Sequence, residues 1–278
     1  MKNISTMLQE AVRSLTLHSD TPYLDASLLL AEVLNMDRLS LLVSQAKQLS
    51  SKEMTRFKQI IKLRAKGMPV AYLTGRKAFW SLDLKVNLDT LIPRPETEVL
   101  VEAALGLFSN KDAIVVADLG TGSGAIALAL ALERPAWKIT GVDISQAALE
   151  IASQNALAHG IQNVLFKKSN WFGKLKAERF DLIVSNPPYL SEKDPYLNTD
   201  IRYEPRDALV SGKSGLESIT RLILQSKKHL NAGGWLILEH GYQQGPMVRD
   251  IFESQDYLNI YSLDDLSNQE RVSLAQIS

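Results

Sequence analysis

The stretch VADLGTGSGAIALALAL, residues 116–132, decides the fold class that the sequence predicts. An apolar run ends at Asp118, three glycines follow between Gly120 and Gly124, and an apolar segment of helical length comes next. Such a strand, turn and helix are typical of α/β proteins, in which ligands bind at the carboxyl ends of parallel strands. Asp143, in ITGVDIS at the next predicted strand end, is placed to bind ribose hydroxyls. The alternative is a glycine-rich turn that only permits tight packing.

Strands and helices alternate through the rest of the chain after residue 93. Apolar runs of strand length are separated by segments with helical character, such as SQAALEIASQNALAHG. This alternation predicts an α/β fold with a mostly parallel sheet covered on both faces. The predicted strands are AIVVAD, WKITGVD, NVLFKK, FDLIVS and GWLILEH.

The first quarter of the chain has a different period. Apolar residues recur at helical spacing from Ile4 to Leu15, and Ser50 and Glu53 have the spacing of a capping box. Alternating apolar residues from Leu82 to Leu88 then indicate a half-buried strand. We predict three parts, an all-α domain, a β-hairpin linker and an α/β domain, over residues 1–75, 76–92 and 93–278.

Composition excludes several classes of protein. The 278 residues contain 31 Lys and Arg, 31 Asp and Glu, and no cysteine, so disulfides, thiolate metal sites and a global attraction to nucleic acid are not expected. The four histidines are scattered, which argues against a metal site. The longest apolar run, residues 125–132, is too short to span a bilayer. We therefore expect a cytoplasmic protein without metal or membrane contact.

The glycine turn also fits a relaxed dinucleotide fingerprint, with Gly120, Gly122 and Ala125 at the required spacing. Asp118 argues against it, because a carboxylate beside the turn would repel a pyrophosphate. An acid there suits a ligand with an ammonium group, such as S-adenosylmethionine.

A second motif, SNPPYLSEKD at residues 185–194, follows the predicted strand FDLIVS. Two prolines end the strand abruptly. The Asn186 side-chain oxygen and the Pro187 carbonyl can accept both hydrogens of a substrate –NH₂, and Tyr189 offers a face for a planar group. This clamp favours methyl transfer to a planar amide or exocyclic amine, aligned by positioning. The alternative is a turn that only ends the strand.

Together these motifs resemble the release factor glutamine methyltransferase family of class I S-adenosylmethionine-dependent enzymes, also called PrmC or HemK. The resemblance covers most of the chain from residue 69 and is carried by PVAYLTGRKAFW, LIPRPETE, DLGTGSGAIALALA, SNPPYL, YEPRDALVSG and LEHGYQQG. It implies a Rossmann-like methyltransferase domain with a seven-stranded sheet over residues 93–278. It also implies N5-methylation of the Gly-Gly-Gln glutamine of class 1 peptide-chain release factors, with S-adenosylhomocysteine as product.

The resemblance implies a role for each matching position. Asn186, Pro187, Pro188 and Tyr189 correspond to the substrate clamp. The cofactor-binding positions are Gly120, Thr121, Gly122, Ser123, Gly124, Asp143, Trp171 and Asn186. Ser267 departs from the family, since a glycine is expected at this place in the terminal hairpin.

Other residues remain open. Glu96 and Glu98 are either catalytic carboxylates or the first turn of a helix, where the dipole favours acids. Trp171 could be ordinary core, Arg94 could line the pocket or lie exposed, and His240 is assigned no role. The role of residues 203–207 is also left open.

Three classes of function remain at this stage. The first is a protein-glutamine methyltransferase, which we expect to be a monomer with a release factor as its partner. The second is a DNA or RNA amino-methyltransferase, because the same clamp can hold a base; no nucleic-acid substrate is expected, since no nucleic-acid module is recognisable. The third is a non-catalytic cofactor-binding protein, which the intact clamp disfavours.

Overall fold

The computed structural model describes residues 2–110 and 112–278, and the chain divides into two compact units. The first unit contains the described residues up to Arg76 together with Pro195–Tyr203. The second contains Lys77–Asp194 and Glu204–Ser278. The segment Pro195–Tyr203 lies within the predicted α/β domain in sequence, yet it packs with the helical unit.

The first unit is helical, as its period predicts. Asn3 caps the first helix by accepting a hydrogen bond from the Thr6 amide over 2.9 Å, and Ser50 and Glu53 form the predicted capping box. The core includes Ile4, Leu29 and Phe57. The helices are α1 (Ile4–Leu15), α2 (Pro22–Leu34), α3 (Arg38–Val43), α4 (Ser51–Arg64) and α5 (Val70–Thr74).

A buried arginine ties the distant segment to the helices of this unit. Arg64, the last residue of α4, donates to Asp25 of α2 over 2.7 Å and to Asp200 over 3.0 Å. Tyr203 adds a hydrogen bond from its hydroxyl to the Lys66 carbonyl over 2.9 Å. Asp25 and Arg64 are both buried, so each charge satisfies the other where water does not.

The second unit is built on a seven-stranded sheet in the order β5-β4-β3-β6-β7-β9-β8. Its first five members in this order are parallel, while β9 runs antiparallel to β7 and β8. The predicted α/β class with a mostly parallel seven-stranded sheet is therefore confirmed. The strands are β3 (Val115–Leu119), β4 (Lys138–Asp143), β5 (Val164–Lys168), β6 (Phe180–Ser185), β7 (Leu230–Glu239), β8 (Leu258–Asp264) and β9 (Glu270–Gln276).

Helices cover both faces of this sheet. Ala125 to Ala131 are all buried, which explains why this helix is apolar all round instead of along one stripe. Two core clusters form, one with Val116 and Leu128 and one with Ile183 and Leu222. The helices are α6 (Glu98–Leu107), α7 (Ala125–Glu133), α8 (Gln146–Ala158), α9 (Glu217–Ser226) and α10 (Gly245–Ser254).

From Lys77 onward, the residues of the predicted hairpin belong to the second unit. Strands β1 (Arg76–Phe79) and β2 (Leu82–Lys85) form a two-stranded sheet whose apolar side chains join the core. Asn155 of α8 accepts from the Lys85 amide over 2.8 Å and donates to the Lys85 carbonyl over 3.0 Å. One buried side chain thus replaces the missing strand neighbour of β2.

The turn between β8 and β9 does not need the glycine that was expected at Ser267. Asp265 accepts hydrogen bonds from the Ser267 and Gln269 amides over 2.8 and 3.0 Å. The left-handed position of the turn, with φ of 55°, is occupied by Asn268, a residue type that tolerates it. No helix within the described residues has the length and apolar character needed to cross a membrane.

Candidate active site

The glycine loop and the acid at the end of β4 form one hydrogen-bonded unit. The amides of Gly120 and Thr121 donate to the Val142 carbonyl over 2.8 and 2.9 Å. Asp143 then accepts from the Gly122 amide over 2.9 Å and from the Ser145 amide over 2.8 Å. Each carboxylate oxygen keeps a further lone pair for a ligand. Burial of the Asp143 carboxylate raises its pKa above the usual value.

A cavity of 400 Å³ lies at the carboxyl edge of the sheet. The structure brings five of the predicted site residues to its wall, which are Gly120, Asp143, Trp171, Asn186 and Pro188. Thr121, Ser123 and Gly124 are buried members of the glycine loop and do not line the cavity. Gly122, Pro187 and Tyr189 also lie outside the lining. Four further lining residues, Pro205, Asp207, Ala208 and Val210, belong to the motif YEPRDALVSG, to which no role was assigned. Lining residues that the sequence did not single out are Asp89, Ile144, Ser145, Ser169, Asn170, Ser218 and Arg221.

Trp171 forms one wall of the cavity against the glycine loop. A Cβ atom added at Gly120 would lie 3.4 Å from the Trp171 ring, so only glycine leaves this space to a ligand. The Trp171 backbone is left-handed, with φ of 52°, and the Ser169 hydroxyl donates to its carbonyl over 2.6 Å. Trp171 lines the cavity and is only partly buried, and it also packs against the core cluster of Ile183 and Leu222.

Asp118 does not face the cavity, contrary to the sequence argument that it meets an ammonium group. Its carboxylate is fully buried and accepts from the Thr121 hydroxyl over 2.6 Å and from the Ala127 amide over 3.2 Å. Burial raises the pKa of Asp118 to about 7. The side chain joins the loop to the start of α7, a structural role that burial decided and sequence position could not reveal.

The clamp residues follow β6, next to the glycine loop that follows β3. The Ser185 hydroxyl donates to the Leu119 carbonyl over 2.5 Å and joins the two strand ends. The Asn186 amide nitrogen donates to the Thr97 hydroxyl oxygen over 3.1 Å. The Tyr189 carbonyl accepts a hydrogen bond from the Gln244 side-chain nitrogen Nε2 over 3.1 Å, which holds the backbone after the prolines.

Thr97 and Glu239 lie behind the clamp, and sequence reasoning missed both. The Thr97 hydroxyl donates to Glu239 over 2.6 Å, and the Tyr189 hydroxyl lies 3.4 Å from the same carboxylate. Burial raises the pKa of Glu239 to about 7. Thr97 lies between the two acids of RPETE, which drew attention to the carboxylates and away from the hydroxyl.

The remaining candidates have structural contacts. Glu98 accepts a hydrogen bond from the Trp80 amide over 2.7 Å, and neither it nor Glu96 lines the cavity. Arg94 forms an ion pair with the buried Glu204, which also accepts from the Ile92 amide over 3.0 Å. This pair anchors the chain just before the cavity-lining residues Pro205 and Asp207.

His240 is buried and hydrogen-bonded through both ring nitrogens. Nδ1 lies 3.0 Å from the Gly241 carbonyl and Nε2 lies 2.8 Å from the Ser273 hydroxyl. Burial is the main cause that lowers the pKa of His240, so the ring is neutral at physiological pH. Over residues 2–110 and 112–278, no group of three His, Asp or Glu side chains is arranged to hold a metal ion.

Comparison with known proteins assigns the chain to a family. A family model for the PrmC N-terminal domain matches residues 6–75, and a methyltransferase small domain model matches residues 96–212. A release factor glutamine methyltransferase from Xylella fastidiosa is 46% identical over 253 residues, covering 91% of this chain and 92% of that protein. The chain belongs to the release factor glutamine methyltransferase family.

Further comparisons agree with this membership. A release factor glutamine methyltransferase from Aliivibrio fischeri is 43% identical over 278 residues, covering 99% of this chain and 97% of that protein. Among solved structures, a methyltransferase from Pyrococcus furiosus superposes with a TM-score of 0.54 at 21% identity, covering 82% of this chain and 98% of that chain. That similarity shows the fold alone, and it is the fold of a methyltransferase. The resemblance drawn from the motifs is confirmed.

Proposed function

We propose that the protein transfers the methyl group of S-adenosylmethionine to the side-chain amide nitrogen of the Gly-Gly-Gln glutamine of class 1 release factors. Family membership supports the reaction, and one observation in the site carries the mechanism. Asn186 lies at the cavity with its amide nitrogen turned away to Thr97, so its oxygen is available to a substrate. A glutamine carboxamide is planar and ends in the –NH₂ group that such an acceptor suits.

The cavity fits S-adenosylmethionine, the group that supplies the methyl. Its volume of 400 Å³ lies within the range of about 300–1,000 Å³ that is usual for small-molecule sites. Asp143 offers carboxylate oxygens for the ribose hydroxyls, and Trp171 offers a flat face for the adenine. The space that a side chain at Gly120 would fill is left open beside that face. The loop from Gly120 to Gly124 completes the proposed cofactor site.

The clamp aligns the glutamine nitrogen instead of deprotonating it in advance. Asn186 and the Pro187 carbonyl accept its two hydrogens, and Pro188 and Tyr189 fix the backbone and pack beside the planar carboxamide. S-adenosylmethionine, when bound, would supply the methyl group to this nitrogen and would leave as S-adenosylhomocysteine, with the bonding pair on sulfur. The nitrogen then loses a proton to water. Positioning of this kind is worth several orders of magnitude in rate.

The proposal is tested by supplying labelled S-adenosylmethionine with separate release-factor, DNA and ribosomal RNA substrates. We expect label only in the release factor and none in a release factor whose Gly-Gly-Gln glutamine is replaced by alanine. Peptide mass spectrometry should place one methyl group on that glutamine. Labelled nucleic acid with unlabelled release factor would contradict the proposal and favour an amino-methyltransferase that acts on bases.

The helical unit is proposed to recognise the body of the release factor. Helix α3 presents Leu39 and Val43 to solvent, 76% and 86% exposed, on a part of the chain that lacks both chemical motifs. Contacts remote from the reacting centre can hold the glutamine in the clamp and so raise the rate. The protein is expected to act as a cytoplasmic monomer without metal, with the release factor as its partner.

Surface variants test this role while the fold stays intact. The double variant Leu39→Ser, Val43→Ser should raise the KM for intact release factor by about 10-fold, because a few anchor residues carry most interface energy. It should leave methylation of a short Gly-Gly-Gln peptide unchanged. The matched control is Leu157→Ser, Leu266→Ser, a pair of exposed leucines in the other unit. Equal KM values for all three proteins would contradict recognition by α3.

A further inference from the structure

Two buried residues behind the clamp have no part in the chemistry described so far. Glu239 is the last residue of β7, and Thr97 ends a short 3₁₀ turn before α6. They are 142 positions apart in sequence, yet the Thr97 hydroxyl donates to Glu239 Oε2 over 2.6 Å. Glu239 is 1% exposed and Thr97 is 4% exposed. A buried carboxylate is unfavourable unless hydrogen bonds or opposite charges compensate for the lost water, so its partners are informative.

Glu239, Thr97 and Asn186 form a series of two hydrogen bonds, and the direction of the first determines the direction of the second. An ionised carboxylate only accepts, so the single hydrogen of the Thr97 hydroxyl must point to Glu239. The hydroxyl oxygen then has only lone pairs to offer on its other side. Asn186 meets it over 3.1 Å with its NH₂ group, the only donor of its side chain. The Asn186 oxygen is thereby turned to the opposite side, where the clamp needs an acceptor.

We propose that Glu239 and Thr97 are positioning residues that set the orientation of the Asn186 amide, so that its oxygen and not its nitrogen meets the substrate. This inference rests on the proposed function, since a substrate NH₂ group is what requires an oxygen there. We call the hydrogen-bonded series Glu239–Thr97–Asn186 the relay. If both hydrogen bonds of the relay reversed direction, Thr97 could donate to the Asn186 oxygen. The amide would then present its NH₂ group to the substrate NH₂ group, donor against donor.

The groups around Glu239 determine the pH range in which Glu239 is ionised and accepts the hydrogen bond from Thr97. The Tyr189 hydroxyl donates to Glu239 Oε1 over 3.4 Å, and this hydrogen bond lowers the pKa of Glu239. The positive charge of Arg271 also lowers that pKa, whereas the negative charge of Glu96 raises it. Burial outweighs these contacts and raises the pKa of Glu239 to about 7. Above that pH the carboxylate is ionised and accepts from Thr97. Below it the protonated acid can donate, and the direction is no longer fixed.

The test measures kcat and the KM values for S-adenosylmethionine and intact release factor. Thr97→Val and Glu239→Leu each remove one member of the relay at similar volume, and each should lower kcat by at least about 10-fold, an orientation effect. The KM for S-adenosylmethionine should stay within about twofold, because the relay acts on the amide acceptor. Thr97→Ser keeps the hydroxyl and should retain most of kcat. The double variant should be no slower than either single variant.

The pH profile separates positioning from a purely structural role. Wild-type kcat should fall as the pH drops through about 7, and the fall should disappear in Glu239→Gln, which cannot titrate. Thermal melting establishes that each variant is folded. Wild-type kcat in folded Thr97→Val, or an unchanged pH profile in Glu239→Gln, would overturn the inference. Failure of the wild-type protein to methylate release factor would contradict the proposed function instead, so the two failures are distinguishable.

Discussion

The backbone amide of Gly122 donates a hydrogen bond to Oδ2 of Asp143 over 2.9 Å. The acid that is proposed to bind the ribose therefore also supports the glycine loop of the proposed cofactor site. A change at Asp143 should therefore affect both the proposed ribose contact and the glycine loop. It also removes the acceptor of the Ser145 amide, which donates to this carboxylate over 2.8 Å.

Asp143→Ala should weaken S-adenosylmethionine binding by about 1–3 kcal/mol, the range expected when buried polar groups lose their partner. Titration calorimetry measures it, with Asp264→Ala, an exposed acid on β8, as the control. NAD should not bind measurably to the wild-type protein. Tight NAD binding without S-adenosylmethionine binding would overturn the assignment of the cofactor site.

Asn186→Ala should lower turnover by at least ~10²-fold with the fold intact, because it removes one of the two acceptors that align the amide. Single-turnover methylation of intact release factor measures the effect. Gln162→Ala, which removes an exposed amide away from the cavity, should behave as wild type. Near-normal activity of a folded Asn186→Ala protein would contradict the role of this residue.

Gly120→Ala and Gly160→Ala form a matched pair, with φ of 78° and 66°. Both should lower the free energy of unfolding by about 1–2 kcal/mol, because a left-handed backbone is strained for alanine. Only Gly120→Ala should also weaken S-adenosylmethionine binding, since its methyl group would lie 3.4 Å from the Trp171 ring. Nothing lies within 4 Å of the corresponding position at Gly160. Equal cofactor affinity in the two variants would show that the space at Gly120 is not used.

Asp118→Asn tests the buried acid beneath the loop. Its pKa is raised from 3.8 to about 7 in the folded protein, so the native state binds the proton more tightly than the unfolded chain. The free energy of unfolding of the wild type should therefore fall as the pH rises from about 4 to 7, then level off. Asp118→Asn cannot titrate, and its stability relative to wild type should rise over this window by at least about 1 kcal/mol.

Urea unfolding without cofactor at a series of pH values measures this difference. Glu239 titrates in the same direction and should leave a residual slope in the variant. Asp250→Asn, an exposed acid on α10, is the control and should follow the wild-type curve. A constant difference between Asp118→Asn and wild type across the window would mean that the carboxyl does not change its protonation there.

Local pattern was sufficient for the elements of the fold and for the edge of the sheet that holds the site. The strand that ends at Asp118, the glycines after it and the strand before Asn186 each leave a signal within a few residues. The carboxyl ends of parallel strands then meet by geometry. Gly120, Asp143, Asn186 and Pro188 were predicted for this reason, whereas Trp171 was assigned through the family resemblance. Their individual roles toward cofactor and substrate stay predictions.

Contacts between distant positions had no such signal. Thr97 meets Glu239 across 142 positions, and Arg64 meets Asp200 across 136. The sequence next to each of these four residues does not indicate whether its side chain is buried or which distant residue it contacts. Asp118 was misjudged for the related reason that burial, which decides whether an acid faces a ligand, depends on the packing of α7 above it.

The segment Pro195–Tyr203 means that the chain passes between the two units three times, after residues 76, 194 and 203. An exchange of helical units between relatives, cut only after residue 76, would leave this segment facing foreign helices. Asp200 would then meet whatever replaced Arg64. A working chimera must carry two stretches of chain together, and a protease that cuts once after residue 76 should release nothing. The helical unit is thus inherited as a discontinuous module, and its two pieces are expected to change in concert.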